Sequence, residues 1–152
     1  MSKKPSPVLD QSTCNCLALR QAARHVTRIY EGHLAAVGLR ASQYSILAKL
    51  DRLGPLSINE LAQSMVMDRT TLGRAIRPLE RDQLLAIAAG DDGRTRRVRL
   101  TSAGEARLKA AAAKWREAQK QFETAFGADD AADLRTVLRR VVRATGEQAA
   151  AG

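Results

Sequence analysis

The strongest constraint on the fold is the recurrence of apolar residues every three or four positions along most of the chain, a spacing that predicts helices. Ala, Leu, Arg and Gln, which suit helices, dominate these stretches. One region differs: the runs LLAIAA (84–89) and RRVRLT (96–101) favour strands, and the turn-prone GDDGRT lies between them. The sequence therefore predicts a mostly α fold with a small β-hairpin.

Local capping signals place the helix boundaries. Ser57 followed by Glu60 fits a capping box for a brief helix, and Asp68 suits the N-cap of the next one. Ser12 or Thr13 is expected to cap the first helix, which stops near Gly38. The predicted helices cover residues 13–37, 42–53, 58–65, 69 to about 84, 102–126 and 129–148, after a flexible tail over residues 1–12.

The outer helices have more apolar surface than one small domain can bury. In the last helix, apolar residues form a dense stripe at helical spacing: Leu134, Val137, Leu138, Val141 and Val142. The helices at 13–37, 102–126 and 129–148 are therefore expected to pack against a second copy of the chain, as a dimerisation frame.

Charge points to a polyanionic partner. The 152 residues include 25 Lys plus Arg against 16 Asp plus Glu, a net charge of +9. Aromatic residues make up only 3%, which argues against a protein that binds single strands by stacking bases, so duplex DNA is favoured. No apolar run is long enough to span a membrane and none resembles a signal peptide, so we expect a cytoplasmic protein without membrane contact.

The predicted helix after Asp68 has two different faces. With Leu72, Ile76 and Leu79 turned inward, a rotation of about 100° per residue gathers Thr70, Arg74, Arg77 and Arg81 on the opposite side. Arginines on such a face suit the major groove, where a guanidinium can bind guanine O6 and N7 together. An ordinary solvated face is the alternative interpretation.

The hairpin adds a second basic cluster. Residues 69–99 contain eight arginines and four acidic residues, so this segment supplies +4 of the net +9. Because side chains alternate along a strand, Arg97 and Arg99 share one face and cannot do the same work as Arg96. An ordinary surface ion pair, and not a DNA contact, is the alternative interpretation of Arg99.

Two stretches carry a family resemblance: LSINELAQSMVMDRTTLGRAIRPLERDQLLAI and, shortly after it, DDGRTRRVRLTSAGEARL. They resemble the multiple-antibiotic-resistance regulator (MarR) family. The likeness spans about residues 14–145 and is most specific over 57–108. It implies a winged helix-turn-helix domain, about residues 42–101, within a helical dimerisation frame. It further implies a homodimer that binds a pseudo-palindromic operator and usually represses, until a small molecule or an oxidant releases it.

The resemblance also implies roles for individual residues. Arg94 would lie at the tip of the wing and reach a minor groove, with Asp92 holding a neighbouring arginine. A ligand cleft would lie where the dimer helices meet the winged domain. The expected DNA contacts are Ser57, Arg69, Thr70, Thr71, Arg74, Arg77, Arg81, Arg94, Arg96 and Arg97. The residues expected to reach the cleft are His25, Arg28, Tyr30, Tyr44 and Trp115.

Cys14 and Cys16 offer a different means of release. Two residues apart on a helix, they would point about 160° away from each other, which disfavours a bridge between them. The run Cys16-Leu17-Ala18-Leu19 is similar to the branch of the family that senses organic hydroperoxides, although Arg20 stands where that branch has a tyrosine. The alternative is an exposed Cys14 and a small buried Cys16.

Other functions have less support. Cys14, Cys16, His25 and His33 match no common zinc spacing, so no metal is expected, and no cofactor-binding or catalytic motif is present. A non-catalytic helical adaptor would explain the basic charge, but it has no need of an arginine-rich hairpin beside an arginine-faced helix.

Overall fold

The computed structural model describes residues 10–150, with side chains described as far as 146. The helices are α1 (Asn15–Leu34), α2 (Ala41–Leu53), α3 (Ile58–Met65), α4 (Arg69–Arg81), α5 (Ser102–Phe126) and α6 (Ala128–Ala150). The strands are β1 (Leu56–Ser57), β2 (Leu85–Ala89) and β3 (Arg96–Leu100), and short 3-10 turns cover Gln11–Thr13 and Ala35–Val37.

One apolar core joins the central helices to the sheet and to the start of α5. Removal of these side chains from water is the main force that holds the elements together. Its fully buried members come from six elements or their ends: Leu34, Ile46, Leu47, Leu61, Leu72, Leu79, Leu85 and Val98. Tyr30, Tyr44 and Trp115 are half-buried and pack against this core from the side of α1 and α5.

The predicted hairpin is confirmed, and it has a third strand that the sequence did not reveal. β2 and β3 pair antiparallel, with Ile87 opposite Val98, and β1 pairs antiparallel with the other edge of β3 through Leu56 opposite Val98. A strand of two residues has no periodicity of its own, so only its pairing partner reveals it. The sheet therefore ties the start of α3 directly to the wing.

Helix starts were predicted better than helix ends. The caps at Ser57 and Asp68 are confirmed, but the first helix is capped by Cys14, whose Sγ accepts a hydrogen bond from the Leu17 amide at 3.4 Å, and not by Ser12 or Thr13. The first helix also becomes 3-10 after Leu34, and α2 begins at Ala41. α4 ends at Arg81, short of Leu84, because Gln83 takes a left-handed conformation with φ of 59°.

The ends of the chain fall partly outside the described residues. Residues 11 and 12 of the predicted tail and residue 13, predicted to begin the first helix, form a 3-10 turn. There Asp10 accepts a hydrogen bond from the Ser12 amide at 2.9 Å. The rest of the predicted tail, residues 1–9, lies outside the described part of the chain. α6 extends to Ala150, two residues beyond the predicted end, a difference within the usual spread of helix boundaries.

Candidate nucleic-acid interface

Helix α4 presents a basic face to solvent. Leu72, Ile76 and Leu79 are buried against the core. The opposite side of the helix is exposed along its whole length: Thr70, Arg74, Arg77 and Arg81. The predicted separation of an apolar and an arginine face is thus present in the structure. Pro78 lies inside the helix on neither of these two faces and removes one backbone donor.

The start of α4 is held by Asp68. Its carboxylate accepts hydrogen bonds from the Thr71 amide at 2.8 Å and from the Thr71 hydroxyl at 2.7 Å. These two bonds hold the pKa of Asp68 below its usual value. The hydroxyl proton of Thr71 is therefore directed to Asp68, whereas Arg69 and Thr70 are exposed beside it. Both donors of Thr71, its amide and its hydroxyl, are thus used within the protein. Only the lone pairs of the hydroxyl oxygen remain to accept a hydrogen bond from DNA.

Ser57 serves the fold in two ways. It closes β1, opposite Arg97 of β3, and it caps α3 by accepting from the Glu60 amide at 3.2 Å. The Glu60 carboxylate in return accepts from the Ser57 amide at 2.7 Å, and this bond lowers the pKa of Glu60. The Ser57 side chain is therefore part of the capping box of α3, and a DNA contact by Ser57 stays a prediction.

The tip of the wing is ordered by Asp92. Its carboxylate accepts from the amides of Arg94 at 3.0 Å and Thr95 at 2.9 Å, and from the Thr95 hydroxyl at 2.7 Å. These bonds, those of Thr95 first, lower the pKa of Asp92 to about 2. Asp92 does hold a neighbouring arginine, as the resemblance implies, but it does so through the Arg94 amide and not through a guanidinium. It holds Thr95 by both its amide and its hydroxyl.

Arg94 and Arg96 project freely, whereas Arg97 does not. Arg94 lies at the exposed end of the hairpin, and Arg96 is also exposed. The Arg97 guanidinium Nη1 lies 3.0 Å from Glu60 Oε2 and donates to the Pro55 carbonyl at 3.2 Å. The surface ion pair considered for Arg99 is thus made by Arg97 instead, because β1 brings the start of α3 alongside β3. A direct DNA contact by Arg97 stays untested.

A small cleft lies between α1, α2 and α5. It measures about 180 Å³, and the rings of Tyr44 and Trp115 stack at its wall with centroids 6.1 Å apart. The structure brings Tyr30, Tyr44 and Trp115 together there, whereas His25 and Arg28 are exposed and do not line it. On α1 those two residues lie about 140° and 160° of rotation from Tyr30, so they point elsewhere. Ligand binding by any of these five residues stays a prediction.

Five further residues line this cleft that were not predicted from the sequence. They lie one helical turn from Tyr30 on α1, or one turn before or directly after Tyr44 on α2, a spacing that could have identified them. The additional lining residues are Val26, Thr27, Leu34, Ala41 and Ser45.

Both cysteines are exposed at the start of α1. Cys14 has extended backbone angles outside the helix, so the argument that two helical cysteines point apart does not apply to this pair. Cys16 lines a groove between α1 and α6 and is not the buried residue of the alternative interpretation. Oxidant sensing by Cys16 stays a prediction, tested by whether an organic hydroperoxide releases DNA from the native protein but not from Cys16→Ser.

A wide apolar groove separates α1 from α6. It measures about 1300 Å³, and its walls include Leu19, Val26, Phe122, Leu134 and Leu138. Leu138 and Val141 are each 37% exposed although large and apolar. The predicted stripe on the last helix therefore has no cover within the described protomer.

The described residues contain neither a membrane-spanning helix nor a cluster of metal-ligating side chains. Between residues 10 and 150 no helix is both long and apolar enough to cross a membrane. Among residues 10–146, whose side chains are described, no group of three or more His, Cys, Asp or Glu is placed to hold a metal ion.

Comparisons with known proteins agree with this architecture. The MarR family model matches residues 39–88. The HTH-type transcriptional regulator YxaD of Bacillus subtilis is 31% identical over 107 residues, which are 70% of this chain and 75% of YxaD. The M. tuberculosis regulator MosR, solved in complex with DNA, is 32% identical with a TM-score of 0.79, over 88% of this chain and 97% of MosR.

A more distant structure shows the same fold. PcaV from Streptomyces coelicolor, solved with its natural ligand, has a TM-score of 0.80 at 20% identity, over 92% of this chain and 99% of PcaV. The extent of the likeness to YxaD and MosR, together with the wing beside an arginine-faced helix, assigns the family. The chain belongs to the MarR family of transcriptional regulators.

Proposed function

We propose that this protein is a homodimeric, sequence-specific repressor that binds duplex DNA in the cytoplasm and is released by a small molecule. One observation carries the proposal: the exposed face of α4 holds Arg74, Arg77 and Arg81 while its other face is buried, and an arginine-tipped wing stands beside it. Neither a helical adaptor nor an enzyme needs this pair of features. The DNA complex of MosR supports the same choice.

The dimensions of α4 suit the major groove. A helix with its side chains is about 10–12 Å across and the groove is about 12 Å wide, so a helix can enter with one face towards the base edges. Thr70 and Arg74 lie nearest the amino end, where recognition helices usually contact bases, and Arg81 lies near the carboxyl end. We infer that Arg74 reads bases and that Arg69 and Arg81 bind phosphates on either side.

The wing supplies a second, less selective contact. Asp92 fixes the backbone of Arg94 at the tip, so the guanidinium is presented from a defined turn. An arginine entering the minor groove is attracted by its negative potential and distinguishes base pairs poorly. Arg94 is therefore expected to increase affinity on all duplexes more than it increases selectivity.

Homodimerisation follows from the open groove between α1 and α6. A second copy placed around a two-fold axis would cover Leu138 and Val141 with the same residues of its own α6, as an isologous interface does. Two recognition helices would then face two half-sites about one DNA turn apart.

The cleft at Tyr44 and Trp115 suits a small, uncharged aromatic effector. A cavity of about 150 Å³ is enough to bind benzene, and this cleft has about 180 Å³. Its lining residues carry no formal charge. Burial is the main cause that raises the pKa of both Tyr30 and Tyr44. A carboxylate would lose its hydration there with no cation in the lining to replace it.

Two experiments test these proposals separately. Selection of bound fragments from the source genome, followed by binding of one recovered duplex and its shuffled version at several salt concentrations, tests the DNA function. Equal affinity for both duplexes would contradict it. Trp115, the single tryptophan of the chain, reports on the cleft by fluorescence.

The effector class is tested with two probes of equal shape, benzamide and benzoate. We expect benzamide to change the Trp115 emission with an affinity at least tenfold tighter than that of benzoate. Ala41→Leu, which narrows the cleft from α2, is the matched control and should abolish the response. Benzoate binding as tightly as benzamide, or no response to either, would contradict an uncharged aromatic effector.

A further inference from the structure

We propose that Thr101 and Gly104 are positioning residues: they lock the carboxyl end of α4 to the start of α5 and thereby set the half-site spacing that the dimer accepts. This inference rests on the proposed function, since it concerns two recognition helices on one operator. It adds to that function a specific joint between the DNA-binding element and a helix of the dimer frame.

The Thr101 hydroxyl lies between two elements and bonds to both. It donates to the carbonyl of Gln83, just after α4, at 2.6 Å, and it accepts from the Gly104 amide in the first turn of α5 at 3.0 Å. The Thr101 amide adds a bond of 3.2 Å to the Leu84 carbonyl. One residue thus caps α5 and ties that cap to the end of α4.

Gly104 lets the two backbones meet. A Cβ at this buried position would lie 1.9 Å from the Leu84 carbonyl oxygen and 2.9 Å from its carbon. These are backbone atoms, which cannot rotate away as a long side chain would. The contact between α5 and residue 84 is therefore closer than any residue with a side chain would permit.

The two residues whose carbonyls Thr101 binds, Gln83 and Leu84, are hydrogen-bonded to the last turn of α4. The Leu84 amide bonds to the Leu79 carbonyl and the Gln83 amide to the Glu80 carbonyl, each at 2.9 Å, which is the Schellman pattern of a helix end. Leu79 and Leu84 are both buried. A rotation at the start of α5 must therefore carry α4 with it or break these bonds.

A small rotation of α4 relative to α5 at this joint would produce a large change in the distance between the two recognition helices of a dimer. From it, α5 runs 25 residues towards the groove where we propose the second copy binds, and α4 carries the arginine face. Recognition helices of a dimer must match half-sites about 34–36 Å apart. With a loose joint, each half-site would still be bound, but the distance between the two would no longer be defined.

The test compares three substitutions of Thr101 on duplexes recovered by the wild-type protein. Thr101→Ser keeps the hydroxyl. Thr101→Val keeps the shape without it. Thr101→Asp keeps an N-cap acceptor for the Gly104 amide but cannot donate to the Gln83 carbonyl. Affinity is measured for the recovered duplex, for versions with one base pair inserted or deleted between half-sites, and for a single half-site.

We expect the wild type and Thr101→Ser to bind the recovered duplex more tightly than the duplexes with altered spacing. In Thr101→Asp and Thr101→Val this ratio of affinities should fall at least tenfold. Their affinity for a single half-site should stay within about twofold of the wild-type value. Circular dichroism and sedimentation verify folding and dimerisation. If Thr101→Val does not fold, Thr101→Asp alone tests whether loss of the bond to the Gln83 carbonyl reduces the spacing preference.

An unchanged spacing preference in Thr101→Asp, or an equal loss of affinity on every duplex, would contradict a role of Thr101 in half-site spacing. If neither Thr101→Asp nor Thr101→Val folds, Thr101 is needed for stability and the proposal is likewise refuted. A wild-type protein without any operator preference would instead contradict the proposed function, so the two failures can be told apart.

Discussion

The guanidinium of Arg97 reaches from β3 to the carboxylate of Glu60 in the first turn of α3, with 3.0 Å between Nη1 and Oε2. Glu60 simultaneously caps α3 through the Ser57 amide. The wing and the first helix of the helix-turn-helix are therefore joined by a side-chain contact as well as by the pairing of β1 with β3. This gives Arg97 and Arg94 different tasks although only two residues separate them.

Arg97→Met and Arg94→Ala should distinguish the structural contact of Arg97 with Glu60 from the DNA contact proposed for Arg94. Arg94→Ala is expected to lower affinity for operator and random duplexes alike and to make the salt dependence shallower by about one unit, because one phosphate or groove contact is lost. Arg97→Met should leave the salt dependence unchanged, since its charge is already engaged by Glu60. Titrations at several salt concentrations measure both, and an equal change in slope for both variants would show that Arg97 also contacts DNA.

The wing tip should resist acid. The pKa of Asp92 is lowered from its usual 3.8 to about 2, so its bonds to Arg94 and Thr95 stabilise the turn above pH 4 and are lost only as the pH falls towards 2. The carboxyl resonance of Asp92 in a pH titration should show that low midpoint. Thr95→Val removes one of the donors and should move the midpoint upward, towards 3.8. A titration midpoint of Asp92 near 3.8 in the native protein would contradict the hydrogen bonds that Asp92 accepts in this turn.

Val66→Gly should stabilise the protein. Val66 ends α3 with φ of 54°, a left-handed conformation that costs a side-chain-bearing residue about 1–2 kcal/mol, and its side chain is 69% exposed. After the extra backbone entropy of glycine, a net gain of roughly 1 kcal/mol is expected. Urea unfolding at fixed protein concentration measures it. Val66→Ala, which keeps a Cβ, should gain less, and a lower midpoint for Val66→Gly would refute the strain argument.

Leu138→Glu combined with Val141→Glu should produce monomers. Both side chains are exposed in the protomer, so its own core is untouched, but carboxylates in a seam between two copies would cost several kcal/mol. Sedimentation velocity measures the loss. Ala132→Glu, an exposed position on the same helix that lines none of the surface around Leu138 and Val141, is the matched control and should remain dimeric. A double variant that stays dimeric and binds operator normally would place the interface elsewhere.

The parts of this structure that could be predicted from sequence are those with local causes. Asp68 and the Ser57–Glu60 pair fix helix starts through bonds spanning three residues, and the arginine face of α4 follows from helical spacing alone. The end of α4 was misplaced because Gln83 occupies a left-handed position that glycine usually marks.

Features that depend on distant partners could not be predicted. β1 exists through its pairing with β3, and the bond from Thr101 to Gln83 joins residues 18 apart in the chain. The exclusion of His25 and Arg28 from the cleft depends on which face of α1 meets α2 and α5. The sequence shows that α1 has an apolar side, but the position of Tyr44 and Trp115 decides which residues approach them.

Selection of bound duplexes by wild type and by Arg74→Ala, followed by affinity measurements on single base-pair changes in each half-site, tests most directly whether α4 reads bases. We expect Arg74→Ala to lose roughly 1–3 kcal/mol of binding free energy on the operator and to lose preference at one base pair in each half-site. Random duplexes should be affected far less. An equal loss of affinity on every duplex, with all base preferences kept, would contradict base readout by Arg74 and leave it a phosphate contact.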